Sequence, residues 1–278
     1  MNRGIVYMLI GSRHAVVTTV SITSLRKWWD GPVVLFCGDE DSQCYGKFIA
    51  EDSRLGVEVI NFSPTIQKRH TGYAAKPLIP QLSPFEQTIQ IDGDTIVVGK
   101  LDELWPQNDK EVVLTKFGDW TTKGRIIRNR VSKWLEVAKK EAENSLNNEY
   151  PALNTGVLSY NKMSELTAVK WAEMVSRKPT EFISDEIAMQ ILFPYAVSVR
   201  IAPEKFNCSP LYGKIGNDTR VIHFHGKKHL IPEAKPLWWP AYRETLENNI
   251  AHIRLWTPGG DDRLGEFLGI SLDNCHAR

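Results

Sequence analysis

Residues 88–98 read T-I-Q-I-D-G-D-T-I-V-V. A short apolar run ends at Asp92, and a second carboxylate at Asp94 precedes another apolar run. Two carboxylates one residue apart at a strand end can reach one hard cation, because Mg²⁺ and Mn²⁺ prefer oxygen ligands and bridge readily to phosphate. An Asp-Gly pair between alternating apolar residues is also a strong hairpin signal. The stretch alone therefore predicts either a metal-binding turn or a β-hairpin.

The residues before this stretch alternate short apolar runs with helical segments. Buried strands are expected over 4–10, 33–37, 57–60 and 88–91, with helices over 16–29, 41–54 and 73–82 between them. Strands separated by helices imply right-handed crossovers and a mainly parallel sheet, and the fold class is therefore α/β. Such sheets bind ligands beyond the carboxyl ends of their strands, which points to residues 11–13, 38–39 and 92–94.

Three features move the interpretation of residues 92–94 away from the hairpin. The preceding run follows a helix that carries Lys76, and the following run leads on through residues 99–105. A matching histidine occurs late in the chain, at His223. No Gly-x-Gly-x-x-Gly or Gly-x-x-x-x-Gly-Lys-Ser/Thr motif is present, so neither a Rossmann dinucleotide site nor a P-loop is supported.

The second half of the chain continues the α/β pattern. Strands are expected over 112–116, 156–160, 197–201 and 221–224, and helices over 127–142, 164–177 and 184–192. Ser184 is a candidate N-cap of the last helix, with Asp185 and Glu186 favourably placed in its first turn. No repeat or clear linker divides the chain, so we predict one domain over 1–230 with a helical C-terminal extension over 231–278 packed on it.

Composition and charge exclude several classes of protein. A composition of 42% hydrophobic and 24% charged residues is typical of a soluble globular chain. The net charge of +1 gives no global attraction to nucleic acid or membrane, and the basic run over 123–130 is expected to be a solvated helix face or an acceptor-site wall. No stretch approaches the ~20 apolar residues of a membrane span. The four scattered cysteines indicate neither a zinc site nor a disulfide framework, so a cytoplasmic protein is expected.

An ordered set of motifs resembles the glycogenin-like, family 8-type glycosyltransferases. The motifs are residues 90–98 with 101–105 (the Asp-x-Asp signature), 154–158, 184–187, 203–207 and 222–226. Each motif is weak alone, but five in the right order are considerably more specific, and together they span roughly residues 4–230. The resemblance implies the GT-A fold, a nucleotide-diphospho-sugar transferase fold that binds the donor mainly through 1–105 and the acceptor mainly through 106–230.

The resemblance also implies a site for Mn²⁺ or Mg²⁺. Asp92 and Asp94 would ligate the metal, and His223 would be the third protein ligand. A strand-end histidine with a purely structural hydrogen bond is the ordinary alternative at His223. His225 is a rival ligand, because the two histidines are two residues apart on one expected strand face. We prefer His223 because it lies three residues before Gly226.

The donor, expected to be a UDP-sugar, would lie against several of these motifs. The first strand end would hold the nucleoside through Ile10 and Gly11, and Tyr7 could stack on the base, although core packing is favoured for Tyr7. Gly93 has no side chain and could let its turn approach the nucleotide. The candidate phosphate contacts, for which exposed lysines and a solvated turn are the ordinary alternatives, are Lys76, Gly226, Lys227 and Lys228.

Three further residues are candidates for contact with the reacting sugar. Asn154 would hydrogen-bond a hydroxyl, unless it only forms a turn, and Asp185 would do the same, unless it only complements a helix N-terminus. Glu186 departs from the family, which usually has glutamine there. Because family members transfer sugar with retention, this carboxylate could act as a nucleophile or stabilise oxocarbenium charge.

Together these inferences predict a metal-dependent glycosyltransferase. It would move a hexose from a UDP-sugar, with retention, to an acceptor that is a glycan, a protein or a small molecule. A sugar-1-phosphate nucleotidyltransferase is one alternative, although residues 11–13 are too short for its Gly-rich loop. A non-catalytic protein that binds sugar nucleotides or carbohydrate is another.

Overall fold

The structure, a computed structural model, describes residues 2–11, 14–63, 71–212, 215–225, 232 and 234–247. Its strands are β1 (Arg3–Leu9), β2 (Val33–Cys37), β3 (Val57–Asn61), β4 (Gln87–Ile91), β5 (Thr95–Val97), β6 (Val112–Thr121), β7 (Pro151–Asn161), β8 (Val199–Ala202) and β9 (Val221–His223). Its α-helices are α1 (Ala15–Leu25), α2 (Glu40–Glu51), α3 (Thr71–Ala75), α4 (Ile79–Leu82), α5 (Arg125–Ser132), α6 (Lys139–Asn147), α7 (Trp171–Ser176), α8 (Ser184–Leu192) and α9 (Lys235–Glu247). A 3-10 turn over Lys76–Leu78 joins α3 to α4.

The strands form a seven-stranded sheet and a small two-stranded sheet. The order in the large sheet is β3-β2-β1-β4-β7-β6-β8, and the small sheet pairs β5 with β9. In the large sheet β1–β2, β2–β3, β1–β4 and β6–β8 are parallel, whereas β7 is antiparallel to both β4 and β6. The predicted α/β fold with a mixed, mainly parallel sheet flanked by helices is confirmed.

The turn at residues 92–94 joins the two sheets. β4 pairs with β1 and β7, whereas β5 pairs with β9 and places Thr95 opposite His223. Since β4 and β5 do not pair with each other, the hairpin alternative is wrong. Gly93 lies against α1, where an added Cβ would overlap the hydroxyl of Thr18. The close approach that the structure gives Gly93 is therefore an approach to α1.

The core covers both faces of the large sheet. In β1, Ile5 and Tyr7 belong to one buried cluster and Val6 to another, as expected for a strand that is covered on both faces. A further cluster packs β6 and β7 against the helices of the second half and contains the fully buried rings of Trp134 and Trp171. These contacts fix the strand ends from which the candidate site is built.

The predicted single helix over 127–142 is wrong. The chain forms α5 and α6 with a turn at 133–138 between them, and this turn lets the ring of Trp134 enter the core. Lys123 and Arg128 donate hydrogen bonds to backbone carbonyls in the last turn of α6, where a helix leaves its carbonyls unpaired. Part of the predicted basic face therefore has a structural role.

The C-terminal helix α9 packs against α1 and the small sheet. Trp238 and Tyr242 are buried in one cluster with Ile96 of β5 and Ile222 of β9. Only this part of the predicted C-terminal extension is described, since residues 248–278 lie outside the described ranges. Among the helices that the structure describes, each is too short or too polar to cross a bilayer.

Candidate active site

The candidate site lies at the carboxyl end of β4. Because β7 runs antiparallel to β4, Gly156 of β7 lies beside Asp92, and the Asp92 N–H donates to the Gly156 carbonyl at 2.7 Å. Helix α8 begins at the same place and brings Asp185 and Glu186 to the site from its first turn. Ser184 begins this helix but is not its cap, since Ile183 takes that position in the left-handed region, with no side-chain cap bond.

The structure brings together Asp92, Asp94 and His223. One potential ligand atom from each residue lies within 4.8 Å of the other two. His223 Nε2 is 3.2 Å from Asp94 Oδ1 and 3.9 Å from Asp92 Oδ2. Two carboxylates and an imidazole are a donor set that fits a divalent cation.

A chain of hydrogen bonds orients the His223 ring. The Gly156 N–H donates to Asn154 Oδ1 at 2.8 Å, which identifies that atom as the amide oxygen. Asn207 Nδ2 donates to the same oxygen at 2.8 Å, so Asn207 Oδ1 faces His223 Nδ1, also at 2.8 Å. A proton on Nδ1 satisfies Asn207 and leaves the Nε2 lone pair for a metal. A backbone amide thus selects the tautomer that a metal ligand needs.

The rival histidine, His225, is placed differently. β9 ends at His223, and His225 has a φ of 49°, so strand alternation does not extend to it. Its ring packs against His223, with centroids 4.0 Å apart. The group of potential ligand atoms contains His223 and not His225, which favours His223 as the ligand. Gly156 makes room for the His223 ring, because a Cβ on Gly156 would overlap the Cε1 and Nδ1 atoms of His223.

Lys76 is buried at the centre of the site, with 6% of its surface exposed. Its ammonium lies 2.8 Å from the Asp92 carboxylate and 3.2 Å from Asp185 Oδ2. Burial alone would lower the pKa of Lys76, but the two carboxylates outweigh this and raise the pKa above its usual value. The lysine therefore stays charged although it is buried, and it links Asp92 to Asp185. The ordinary alternative of an exposed helical lysine is wrong.

Asp185 is 2% exposed, and its two oxygens differ. Oδ2 accepts a hydrogen bond from Thr155 Oγ1 at 2.7 Å and also faces Lys76. Oδ1 is buried and has no hydrogen-bond partner in the described part of the chain. A buried carboxylate oxygen without a partner is costly, so this atom is available to a ligand that supplies a donor.

Glu186 is joined to the same network. Its Oε2 accepts from Asn154 Nδ2 at 2.8 Å, and its Oε1 lies 3.4 Å from an Arg130 nitrogen. Burial and the neighbouring Asp185 raise the pKa of Glu186 to about 7, although Arg130 opposes the shift. This carboxyl group changes its charge near neutral pH.

The remaining predicted contacts are placed less favourably or not described. Tyr7 is fully buried in the core, where its hydroxyl accepts from Ser21, so base stacking by Tyr7 is not supported. Gly11 has a φ of 77° and follows Ile10 at the end of β1, and its N–H donates to Asp39 at 2.6 Å. The predicted phosphate contacts Gly226, Lys227 and Lys228 lie outside the described residues.

Sequence reasoning missed several residues of this network. Asn207 closes the fourth of the motifs given above, but nothing in that motif shows that its amide would reach His223. Arg130 lies in the basic run, and its spacing from acidic residues gives no sign of Glu186. The only available signal was the Asn-x-Gly spacing of Asn154 and Gly156, which the structure uses as one hydrogen-bonded unit.

Comparisons with known proteins place the fold. No protein-family model matches the sequence, and no curated protein matches it. Solved structures do match this chain. The galactosyltransferase LgtC, in complex with donor and acceptor sugar analogs, has a TM-score of 0.59 at 16% identity, and the match covers 88% of this chain and 95% of that chain.

Two further structures agree. An active-site mutant of LgtC with glutamate in place of glutamine has a TM-score of 0.59 at 17% identity and covers 88% of this chain and 95% of that chain. Apo mouse xyloside xylosyltransferase 1 has a TM-score of 0.54 at 12% identity and covers 82% and 99%. The family 8-type assignment stays a prediction, since these identities establish the fold alone. The chain has the GT-A fold of these glycosyltransferases.

Proposed function

We propose that this chain is a metal-dependent glycosyltransferase that moves a hexose from a UDP-sugar to an acceptor with retention. One observation carries the proposal. Asp92, Asp94 and His223 meet at the carboxyl edge of β4, with the His223 tautomer set by Asn207, in a chain that shares its fold with solved glycosyltransferases. Ligands of open α/β sheets lie outside the carboxyl ends of the strands, which is where this cluster lies.

The donor would bind across this edge. A divalent cation, Mn²⁺ or Mg²⁺, held by the cluster would offset the negative charge that grows on the diphosphate as the sugar departs. The nucleoside would lie toward the ends of β1 and β2, near Ile10 and Gly11. Gly226, Lys227 and Lys228 would contact the diphosphate, because ammonium groups and glycine backbone form short, charge-assisted bonds to phosphate oxygens.

The donor sugar would lie between Asp185 and Asn154. Asp185 Oδ1 lacks a partner and would accept a hydrogen bond from a sugar hydroxyl. Lys76 holds the other oxygen of the same carboxylate, so Asp185 is fixed before the sugar arrives. Contacts of this kind hold the anomeric carbon in place, and such orientation accounts for a large share of enzymatic rate enhancement.

Glu186 is the candidate group for the chemistry at the anomeric carbon. As a nucleophile, its carboxylate would form a bond to that carbon while the bond to the diphosphate oxygen breaks with its electron pair. The acceptor hydroxyl would then displace the carboxylate and lose its proton to solvent, and two inversions give net retention. The alternative role is electrostatic stabilisation of the oxocarbenium charge without a bond. In the LgtC mutant, glutamate replaces an active-site glutamine. Residue 186 of this chain departs from the family pattern in the same way, with glutamate where the family usually has glutamine.

The test is a panel of nucleotide-sugars measured with and without Mn²⁺. We expect a metal-dependent thermal shift and metal-dependent release of UDP from UDP-glucose or UDP-galactose, and loss of both in Asp92→Asn. Asp102→Asn, at an exposed aspartate that is not part of the cluster, is the matched control. A panel without any metal-dependent binding would end the proposal. Binding without turnover on any acceptor would favour a non-catalytic protein, and synthesis of UDP-sugar from UTP and a sugar-1-phosphate would favour a nucleotidyltransferase.

A further inference from the structure

A group of aromatic rings lies beside the candidate metal ligands Asp92, Asp94 and His223, which are called the metal cluster below, and it has no part in the proposed donor chemistry. The ring of Phe117 lies 5.0 Å from Trp120, 5.6 Å from Tyr212 and 5.0 Å from His225, measured between centroids. Trp120 and Tyr212 are 5.4 Å apart. His225 packs in turn against the candidate metal ligand His223. We call Phe117, Trp120 and Tyr212 the aromatic platform, and one imidazole ring separates it from the metal cluster.

The platform is open to solvent. Tyr212 is 46% exposed, and Phe117 and Trp120 are half-buried. Single exposed apolar residues are normal on a protein surface, but rings in mutual contact form a patch, and patches of this kind mark binding sites.

A bulge-like irregularity of β6, called the bulge below, builds the platform: between the pairs Lys116–Leu153 and Thr121–Pro151, β6 advances five residues and β7 two. In a regular strand Phe117 and Trp120, three residues apart, would point to opposite faces. The register between β6 and β7 shifts between Lys116 and Thr121, and Gly118 has a φ of 56°, which glycine adopts without strain. The two rings then meet edge to face at 86°. Bulges beside active sites commonly re-aim side chains, and this one turns Trp120 toward Phe117 and Tyr212.

The platform lies on the opposite side of β4 from the strand ends at which the nucleoside is proposed to bind. In the large sheet, β7 and β6 lie on one side of β4, and β1 and β2 lie on the other side. Thr115, two residues before Phe117 on β6, hydrogen-bonds the backbone of Asn154 at 3.1 Å and accepts from Asn207 at 2.7 Å. β6 therefore leads from the network under the donor sugar directly to the platform. A ligand on the platform would lie next to the reacting sugar and beyond it.

We propose that the aromatic platform is the acceptor subsite and that the acceptor is a carbohydrate whose ring lies on Trp120 and Tyr212. The inference rests on the glycosyltransferase function proposed above. The C–H groups of a sugar ring are the positive edge that an electron-rich aromatic face attracts. Hydroxyl groups need acceptors, and Glu204 is the candidate, since its Oε1 lies 3.7 Å from the position that a Cβ would take on Gly118, which lies between Phe117 and Trp120 in the chain. The faces of Trp120 and Tyr212 are tilted by 54° to each other, and two ring faces at this angle, with a carboxylate nearby, suit a bulky sugar ring better than an extended peptide.

The test compares Trp120→Ala and Tyr212→Ala with Trp28→Ala, a 43% exposed tryptophan that follows α1. A panel of oligosaccharides, peptides and small alcohols serves as acceptors, and UDP release without acceptor is measured in parallel. We expect the wild type to use an oligosaccharide as acceptor. In each platform variant the KM for that acceptor should rise roughly tenfold, and the ratio of transfer to donor hydrolysis should fall in proportion. Trp120→Phe keeps a ring and should recover most of the loss, and Trp28→Ala should behave like the wild type.

Each other outcome overturns the inference. An acceptor KM that is unchanged in both platform variants shows that the acceptor binds elsewhere. Transfer to peptides alone shows that the carbohydrate assignment is wrong. Failure of the proposed function is seen separately, as wild-type protein that neither binds nor hydrolyses any UDP-sugar. In that case oligosaccharide titration of intrinsic fluorescence, compared between wild type and Trp120→Phe, still decides whether the platform binds carbohydrate.

Discussion

The metal cluster and the aromatic platform lie one ring apart but are held in different ways. The cluster is positioned by a hydrogen-bond chain that starts at the backbone of Gly156 and passes through Asn154 and Asn207 to His223. The platform is positioned by a bulge at Gly118 and by contacts between rings. Directional bonds fix atoms more narrowly than ring packing does. Changes in the cluster should therefore abolish turnover, whereas changes in the platform should alter which acceptor is used.

The largest effect is expected from Asp94→Asn, which removes a charged ligand from the cluster. The lost charge stabilisation should lower Mn²⁺-dependent UDP release on the order of a thousandfold. Steady-state assays over a range of Mn²⁺ concentrations measure the effect, with Asp102→Asn as the control. Activity within a few fold of the wild type would show that the cluster is not the metal site.

The next effect is expected from Glu186→Gln, which keeps the shape of the side chain and removes its charge. Turnover should fall on the order of a hundredfold, because charge stabilisation at the anomeric carbon is lost. Only the ionised carboxyl can act, so wild-type kcat should rise as the pH passes about 7, and the variant should lack this rise. Equal pH profiles for the two proteins would exclude an ionised Glu186 from the reaction.

A smaller effect is expected from Asn207→Ala. His223 Nδ1 loses its hydrogen-bond partner, and the ring is no longer held in the tautomer that leaves Nε2 for a metal. Loss of such an orienting partner weakens metal binding about 10- to 100-fold. Titration with Mn²⁺ measures the affinity, and Asn108→Ala, an exposed asparagine, is the control. An unchanged Mn²⁺ affinity would contradict an orienting role for Asn207.

The smallest effect is expected from Gly118→Ala, which reaches only the platform. An alanine at a φ of 56° is strained by about 1–2 kcal/mol, so the bulge should shift or the protein should lose that much stability. The acceptor KM should rise by a few fold, whereas the Mn²⁺ affinity should not change. The control is Gly72→Ala, where an added Cβ meets open space. A change in Mn²⁺ affinity would show that the platform and the cluster are not independent.

The same contrast explains how much could be predicted from sequence. Strand ends were predictable because buried runs stop abruptly, and Asp92 follows such a run directly. The bulge in β6 was not predictable, because no local pattern distinguishes a glycine that takes positive φ from one in a regular strand. Lys76 was predicted to contact phosphate, with an exposed position as the ordinary alternative, and its burial depends on two carboxylates that only the tertiary fold brings near. The break at 133–138 likewise follows from the packing of Trp134. The apolar periodicity of 127–142 predicted one continuous helix through this segment.

The pairing of β5 with β9 has a consequence for how the parts of the molecule depend on each other. Each strand has three residues, and Thr95, directly after Asp94, pairs with His223. A two-stranded sheet of this size is marginal by itself, and here Trp238 and Tyr242 of α9 cover it. Opening the small sheet would separate the candidate metal ligands and would also uncover α9. We therefore expect the small sheet, the metal cluster and α9 to unfold as one unit. A cation that bound only the assembled ligands would therefore also stabilise α9 against local unfolding and against proteases that cut opened chain.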